Sequence, residues 1–123
     1  MKIPILALLT FLLLAGCTSG NRPPSLASQG RDLYTDKSCV GCHSVDGSPS
    51  VGPTWKGLYG QPVKLSDGST VVADEAYLRE SMLRPSAKTV NGYTPGLMET
   101  VIEPGSLTQH EVDALVAYIK TLR

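Results

Sequence analysis

Cys39-Val40-Gly41-Cys42-His43 sets two thiols three positions apart and an imidazole directly after them. C-x-x-C alone also serves thiol redox sites and supplies half of many zinc sites. The adjoining histidine narrows the chemistry. In a chain exported as an apoprotein, C-x-x-C-H is the attachment site for a covalent haem: the thiols add across its two vinyl groups and the histidine is placed to ligate its iron. Thioether bonds withdraw Cys39 and Cys42 from thiol exchange. A four-ligand zinc site needs one more strong ligand, and His110, the only other histidine, lies deep in the C-terminal part, with no second C-x-x-C to help. One covalently bound haem c is the expected cofactor, and a thiol-disulfide or metal site is the alternative.

For the iron, His43 is expected to ligate through Nε2 while Nδ1 donates to a backbone carbonyl that fixes the ring's tautomer and orientation. Gly52-Pro53 is a candidate provider, because proline offers a carbonyl without an N–H and stiffens its loop. High-potential electron transfer calls for a soft ligand on the other side of the metal. With Met1 lost in a cleaved leader, Met82 and Met98 are the candidates. Met82 has helical spacing with Leu78 and reads as core. Met98 ends the irregular run Asn91-Gly92-Tyr93-Thr94-Pro95-Gly96-Leu97-Met98, where turn formers free a thioether to be aimed; the competing reading is a gap-filling apolar side chain.

The start of the chain bears on the compartment. Met1-Lys2 precedes an apolar run from Ile3 to Ala15, too short for a membrane span of ~20 residues and the right size for a signal-peptide core. Leu14-Ala15-Gly16-Cys17 resembles the lipobox of bacterial lipoproteins, which implies a signal peptide at 1–16 and a lipid on Cys17. Residues 17–25 then form the lipidated cysteine and a short polar tether stiffened by Pro23-Pro24. The remainder, 26–123, is one domain with a small apolar core that a buried haem would enlarge. The expected location is the extracytoplasmic face of a bacterial membrane, periplasmic or cell-surface side, with the lipid bilayer as a partner through Cys17. Eleven basic residues balance eleven acidic ones, which argues against nucleic acid as a partner.

The elements that must position this chemistry are helical. A first helix is predicted from Leu26 to Thr35, N-capped by Ser25, with Leu26, Gly30, Leu33 and Tyr34 on one face, delivering the chain into the C-x-x-C-H motif. Thr108 followed three residues later by Glu111 signals a capping box, after which Val112, Leu115, Val116, Ile119 and Leu122 form an apolar stripe with Tyr118 beside it. Gly30 permits this last helix to approach the first closely near Tyr118. Another helix is predicted from Asp74 or Glu75 to Leu83, stopped by Arg84-Pro85. Val63 to Val72 reads as a small hairpin turning at Asp67-Gly68. His110, in the first turn of the last helix, is expected to be an exposed polar residue.

Over Leu26 to Arg123 the sequence resembles the class I, mitochondrial and bacterial type, cytochromes c. Gly30, Tyr34, Leu115 and Tyr118 match that family's terminal helix contact, Pro53 its proximal-histidine partner and Met98 its distal ligand. Closer still, Asp67-Gly68-Ser69, Ala73 to Ser81, the Gly92-Tyr93 loop and Val112 to Ile119 resemble the cytochrome c domain fused to subunit II of caa3-type oxidases. Two departures stand out: the membrane helices and copper domain of that subunit are absent, and Glu99 follows Met98 where the family usually has proline.

The resemblance implies an all-α class I cytochrome c fold, with N- and C-terminal helices packed together around the haem, a third helix and a small β-hairpin insertion. It further implies His43/Met98 ligation of the iron, and Trp55, Tyr59 and Gln61 as candidate hydrogen-bond donors to the haem propionates. Trp55 reads equally as core packing. Tyr77 and Tyr93 are expected to pack near the haem. Lys37, Lys56, Lys64 and Lys88 are candidates for a docking face, although interspersed acids make solvated surface the default. An iron closed by His43 and Met98 leaves no site for substrate, which points to an electron carrier rather than an enzyme. The implied partners are membrane respiratory complexes: a quinol-oxidising donor and a terminal oxidase or other reductase as acceptor. The alternatives are a dedicated electron-entry subunit of one oxidoreductase complex and an open-site haem enzyme or gas sensor.

Overall fold

The computed structural model describes residues 22–123; the predicted leader and Cys17 lie outside them. Ser25 has extended backbone and its hydroxyl accepts the Ser28 N–H at 3.1 Å, so α1 starts at Leu26 and runs to Asp36. Gly30 and Tyr34 are buried on its inner face, whereas Leu26, predicted on that stripe, is exposed because it precedes the crossing with the last helix. Ser38 takes a left-handed conformation (φ 60°) that turns the chain from α1 into a single 3-10 turn, Cys39–Gly41.

The C-terminal helix, α3 (Gln109–Ile119), begins at the predicted capping box: Thr108 Oγ1 accepts the Glu111 N–H at 3.2 Å, and Glu111 accepts the Thr108 N–H at 2.7 Å. Its stripe of Val112, Leu115, Val116 and Ile119 is buried, and Leu122, beyond the helix end, is half-buried. α1 and α3 cross at Gly30. A Cβ placed there would stand 1.9 Å from the Ala114 carbonyl oxygen and 2.8 Å from Tyr118 Cβ, so only glycine lets the two backbones meet. Between them α2 (Glu75–Leu83) is N-capped by Asp74, whose carboxylate accepts the Tyr77 N–H at 2.8 Å. Leu78 and Met82 enter the main core with Tyr34, Leu115 and Ile119. Ion pairs Arg79–Asp113 (2.5 Å) and Lys120–Glu75 (2.6 Å) tie α2 to α3 on the surface.

The hairpin lies where the sequence suggested. Strands β1 (Pro62–Lys64) and β2 (Thr70–Val72) pair antiparallel, with Val63 opposite Val71. Beyond Lys64 the Leu65 N–H donates to the Ser69 carbonyl at 2.9 Å and the Gly68 N–H to the Leu65 carbonyl at 3.1 Å, a turn that contains Asp67-Gly68, while Leu65 is buried and bridges to Val90. Val63, Leu65 and Ala73 form a second small core under it. Three helices with the terminal pair in close contact and a two-stranded insertion constitute the all-α class I arrangement that was expected. Among the described residues no helix is long and apolar enough to cross a membrane. His110 is exposed, its Nε2 at 2.9 Å from Gln29 Oε1 of α1.

Lys37 Nζ lies 2.7 Å from Glu111, joining the end of α1 to the start of α3. That bond first, then those with Thr108, hold the Glu111 carboxyl far below its ordinary value, at about 2. A carboxyl depressed on folding stabilises above its unfolded value of about 4.3, and the contribution is lost as pH falls through the folded value. Glu111→Gln is therefore expected to melt below the parent at neutral pH, with the gap closing between the unfolded value and about 2. Thermal midpoints against pH check this; a gap unchanged through the window would show that charge is not what Glu111 contributes.

Candidate haem site

The 3-10 turn Cys39–Gly41 is closed by the Cys42 and His43 N–H groups, which both donate to the Cys39 carbonyl, at 3.1 and 2.9 Å. It presents Cys39, Cys42 and His43 to one cleft. Both thiols are free and half-buried. Burial pushes the Cys39 thiol up, the reverse of the depressed value that makes the leading cysteine of a redox C-x-x-C nucleophilic.

His43 is held on several sides. Its Nδ1 donates to the Pro53 carbonyl at 2.7 Å, which sets the tautomer and leaves Nε2 as the unprotonated nitrogen. Its ring stacks on Trp55 with centroids 5.1 Å apart and planes at 27°. The Tyr34 hydroxyl donates to its backbone carbonyl. Gly52 lies against the imidazole, where a Cβ would stand 2.8 Å from Cε1, and its N–H donates to the Cys42 carbonyl at 2.7 Å. Burial lowers the imidazole's pKa, and the Pro53 bond only partly opposes this, so the ring stays in the neutral form that binds a metal.

The cleft encloses about 1180 Å³ of empty space open to solvent. Val51, Pro53, Trp55 and Leu58 line it from the chain after the motif, Tyr77, Leu78, Ser81 and Met82 from α2, and Leu97, Met98, Val101 and Ile102 from the segment around a second 3-10 turn, Met98–Thr100. Two free thiols and one neutral imidazole converging on a large, mainly apolar cleft fit a covalent haem c. Both candidate methionines reach the cleft, in different settings. Met82 is 5% exposed among core side chains, while Met98 is half-buried at the start of its turn.

Trp55 is buried between Tyr34, at 5.2 Å between centroids, and His43. Its indole N–H has no protein acceptor, yet no buried side-chain polar atom lacks a partner among the described residues, so the N–H opens toward solvent-accessible space. Tyr59 and Gln61 are not brought to the cleft. Leu58 turns inward and Tyr59 consequently turns out, its ring lying 5.0 Å from Lys120 Nζ; Gln61 is exposed and uses its backbone to pair with Ala73. Tyr77 and Tyr93 both line the cleft, as anticipated for packing residues. Burial raises the Tyr77 hydroxyl's pKa, which keeps it a hydrogen-bond donor.

Sequence reasoning gave Ser81 no role at the cleft and offered Lys88 only as a docking-face candidate; both line it. Ser81 stands one helical turn after Tyr77 and bonds its carbonyl at 2.9 Å, a relation legible from i, i+4 spacing. Lys88 reaches the cleft rim from a loop, with no periodic signal to mark it. It pairs with Glu80, just as Lys37 pairs with Glu111, and Lys56 bonds the Asp46 carbonyl at 3.3 Å. The lysines at the rim are thus largely neutralised by neighbours.

Residues 27–123 match the cytochrome c family model. Cytochrome c2 iso-1 of Magnetospirillum molischianum is 31% identical over 97 residues, which cover 69% of this chain and 90% of that protein. Cytochrome c oxidase subunit 2 of Alkalihalophilus pseudofirmus is 25% identical over 103 residues, covering 80% of this chain and 26% of that one. The chain therefore spans about a quarter of the oxidase subunit's length and most of the small cytochrome's. Because the family match takes in the C-x-x-C-H segment together with the helices that frame its cleft, the chain belongs to the cytochrome c family.

Proposed function

We propose that this cytochrome c-type electron carrier works as a single-haem shuttle closed by His43 and Met98, held to the outer face of a bacterial membrane by a lipid on Cys17. It would take electrons from a quinol-oxidising complex and pass them to a terminal oxidase or another reductase. The observation that carries this reading is the imidazole of His43, locked by Pro53 and Trp55 and sharing one cleft with a methionine on an irregular loop. A bound haem supplies an iron that gains and loses one electron.

The chain's own residues do the rest. Cys39 and Cys42 fix the group covalently; His43 Nδ1 keeps its proton on the Pro53 carbonyl, so no proton is lost or gained at the ligand when charge changes. Trp55 and Tyr34 prevent the ring from swinging, and Met98 would hold the iron from its loop and so exclude an external ligand. Trp55 N–H is the propionate donor that the cleft favours, and Tyr59 is not retained in that role.

Similarity to an oxidase subunit favours a second reading, a dedicated electron-entry subunit of one membrane complex. Stable stoichiometric co-purification with such a complex would favour it; turnover as a freely added donor would favour the shuttle.

The closed-iron reading is tested with carbon monoxide. The reduced, haem-loaded protein is expected to leave its spectrum unchanged under carbon monoxide at neutral pH and to titrate as a one-electron couple. Ready binding to most of the population without denaturation would overturn the electron-carrier ligation and favour an open-site enzyme or sensor.

A further inference from the structure

The stretch that carries Met98 is the least anchored part of the cleft wall. From Thr94 to Glu99 no backbone N–H closes a well-formed backbone hydrogen bond, and two left-handed glycines bend the chain, Gly92 (φ 87°) just before the stretch and Gly96 (φ 72°) within it. Upstream the chain is firmly held: Leu65 bridges Val90, and the Asn91 N–H donates to the Lys64 carbonyl at 2.9 Å. Downstream the Ile102 N–H returns to the Met98 carbonyl at 2.8 Å. Between those points one side chain ties the stretch to another part of the fold. The Glu99 carboxylate accepts a hydrogen bond from the Ser86 hydroxyl.

Ser86 is a sound anchor. It follows the Arg84-Pro85 stop of α2, inside a turn closed by Ala87 N–H on the Arg84 carbonyl at 2.9 Å, and Arg84 N–H is itself bonded to Glu80 at 2.8 Å. The Ser86 hydroxyl also lies over Gly96, 3.9 Å from where a Cβ would stand. The hydroxyl therefore bonds the loop at Glu99 and lies near it at Gly96, on the other side of Leu97-Met98.

We propose that Glu99 is a positioning residue for Met98, and that the Ser86–Glu99 hydrogen bond is a clasp that closes the ligand loop. In a 3-10 turn successive side chains diverge by about 120°. With Glu99 fixed outward on Ser86, its neighbour Met98 is directed to the cleft it lines. Glutamate thus supplies by hydrogen bonding the restraint that a proline at this position would supply through its ring. The inference rests on Met98 being the iron's ligand.

The test uses the haem-loaded protein and the rate at which imidazole displaces the methionine from oxidised iron, read from the methionine-to-iron band. Glu99→Ala and Ser86→Ala are each expected to speed displacement by about tenfold, the scale of one hydrogen bond to a charged group. Glu99→Gln, whose amide oxygen can accept the same hydroxyl, should keep most of the parent's slow rate, and the double alanine variant should be no faster than either single. Thermal midpoints should barely move, since both groups lie at the surface. Unchanged rates in the single variants, or additive effects in the double, would overturn the clasp. Met98→Ala, run alongside, separates the two failures: if the band survives there, the ligand assignment is wrong; if it is lost there while Glu99→Ala behaves as parent, the clasp alone fails.

Discussion

Gly30→Val should lower the thermal midpoint of the haem-loaded protein by about 10 to 20 °C, or abolish folding at growth temperature. The new Cβ would overlap the Ala114 carbonyl at 1.9 Å and its carbon at 2.5 Å, both backbone atoms that no rotamer change can move. Relief requires α1 and α3 to part, which uncovers Tyr34, Leu115 and Ile119 together. Overpacking ordinarily costs about 1–3 kcal/mol and occasionally more. At the crossing of two helices the upper end applies, and each kcal/mol lowers the midpoint of a domain this size by about 4–8 °C. Asp32→Val on the exposed face of the same helix is the control, carrying the β-branched penalty without the clash. Circular dichroism melts decide the matter: equal midpoints for the two variants would mean that the crossing has room to spare.

The second large effect separates the two methionines. Met82→Ala removes a thioether from a packed site that is 5% exposed, and a buried methionine replaced by alanine costs about 2–5 kcal/mol. The methionine-to-iron band should nevertheless persist below the lowered melting point. Met98→Ala should behave in the opposite way, with the band gone, carbon monoxide and imidazole bound readily, a smaller loss of stability, and haem still attached through Cys39 and Cys42 on a denaturing gel. A band that survives in Met98→Ala and vanishes in Met82→Ala would reverse the assignment.

What the sequence disclosed and what it hid divide along the range of the interactions. Thr108 and Glu111 announced α3 because a capping box is decided within one turn, and Gly30 announced the crossing because a lone glycine amid an amphipathic helix has few other uses. Pro53 was legible as a carbonyl acceptor for His43 because proline offers a carbonyl without an N–H and stiffens its loop. The setting of Tyr59 was hidden, since its outward turn answers to Lys120 from the far end of the chain, a contact that no local pattern encodes. The bridge from Leu65 to Val90 was hidden for the same kind of reason, since it joins the hairpin to a loop beyond α2. The Ser86–Glu99 bond was visible only as an oddity, a glutamate where proline is usual; its partner lies across a loop whose path residue types alone do not specify.

The meeting of α1 and α3 also governs the order of events when the chain folds. Roughly 85 residues separate Gly30 from Ala114, and closing so long a loop draws its entropy before the contact returns any stability. Contacts of such sequence separation slow folding. The thiol pair lies on the N-terminal side of that loop, just beyond α1, and stays accessible in any chain whose helices have yet to meet. A chain in which that pair closes late would keep Cys39 and Cys42 open to modification while the rest is still unfolded, and the helix contact would then cover the cleft wall behind them.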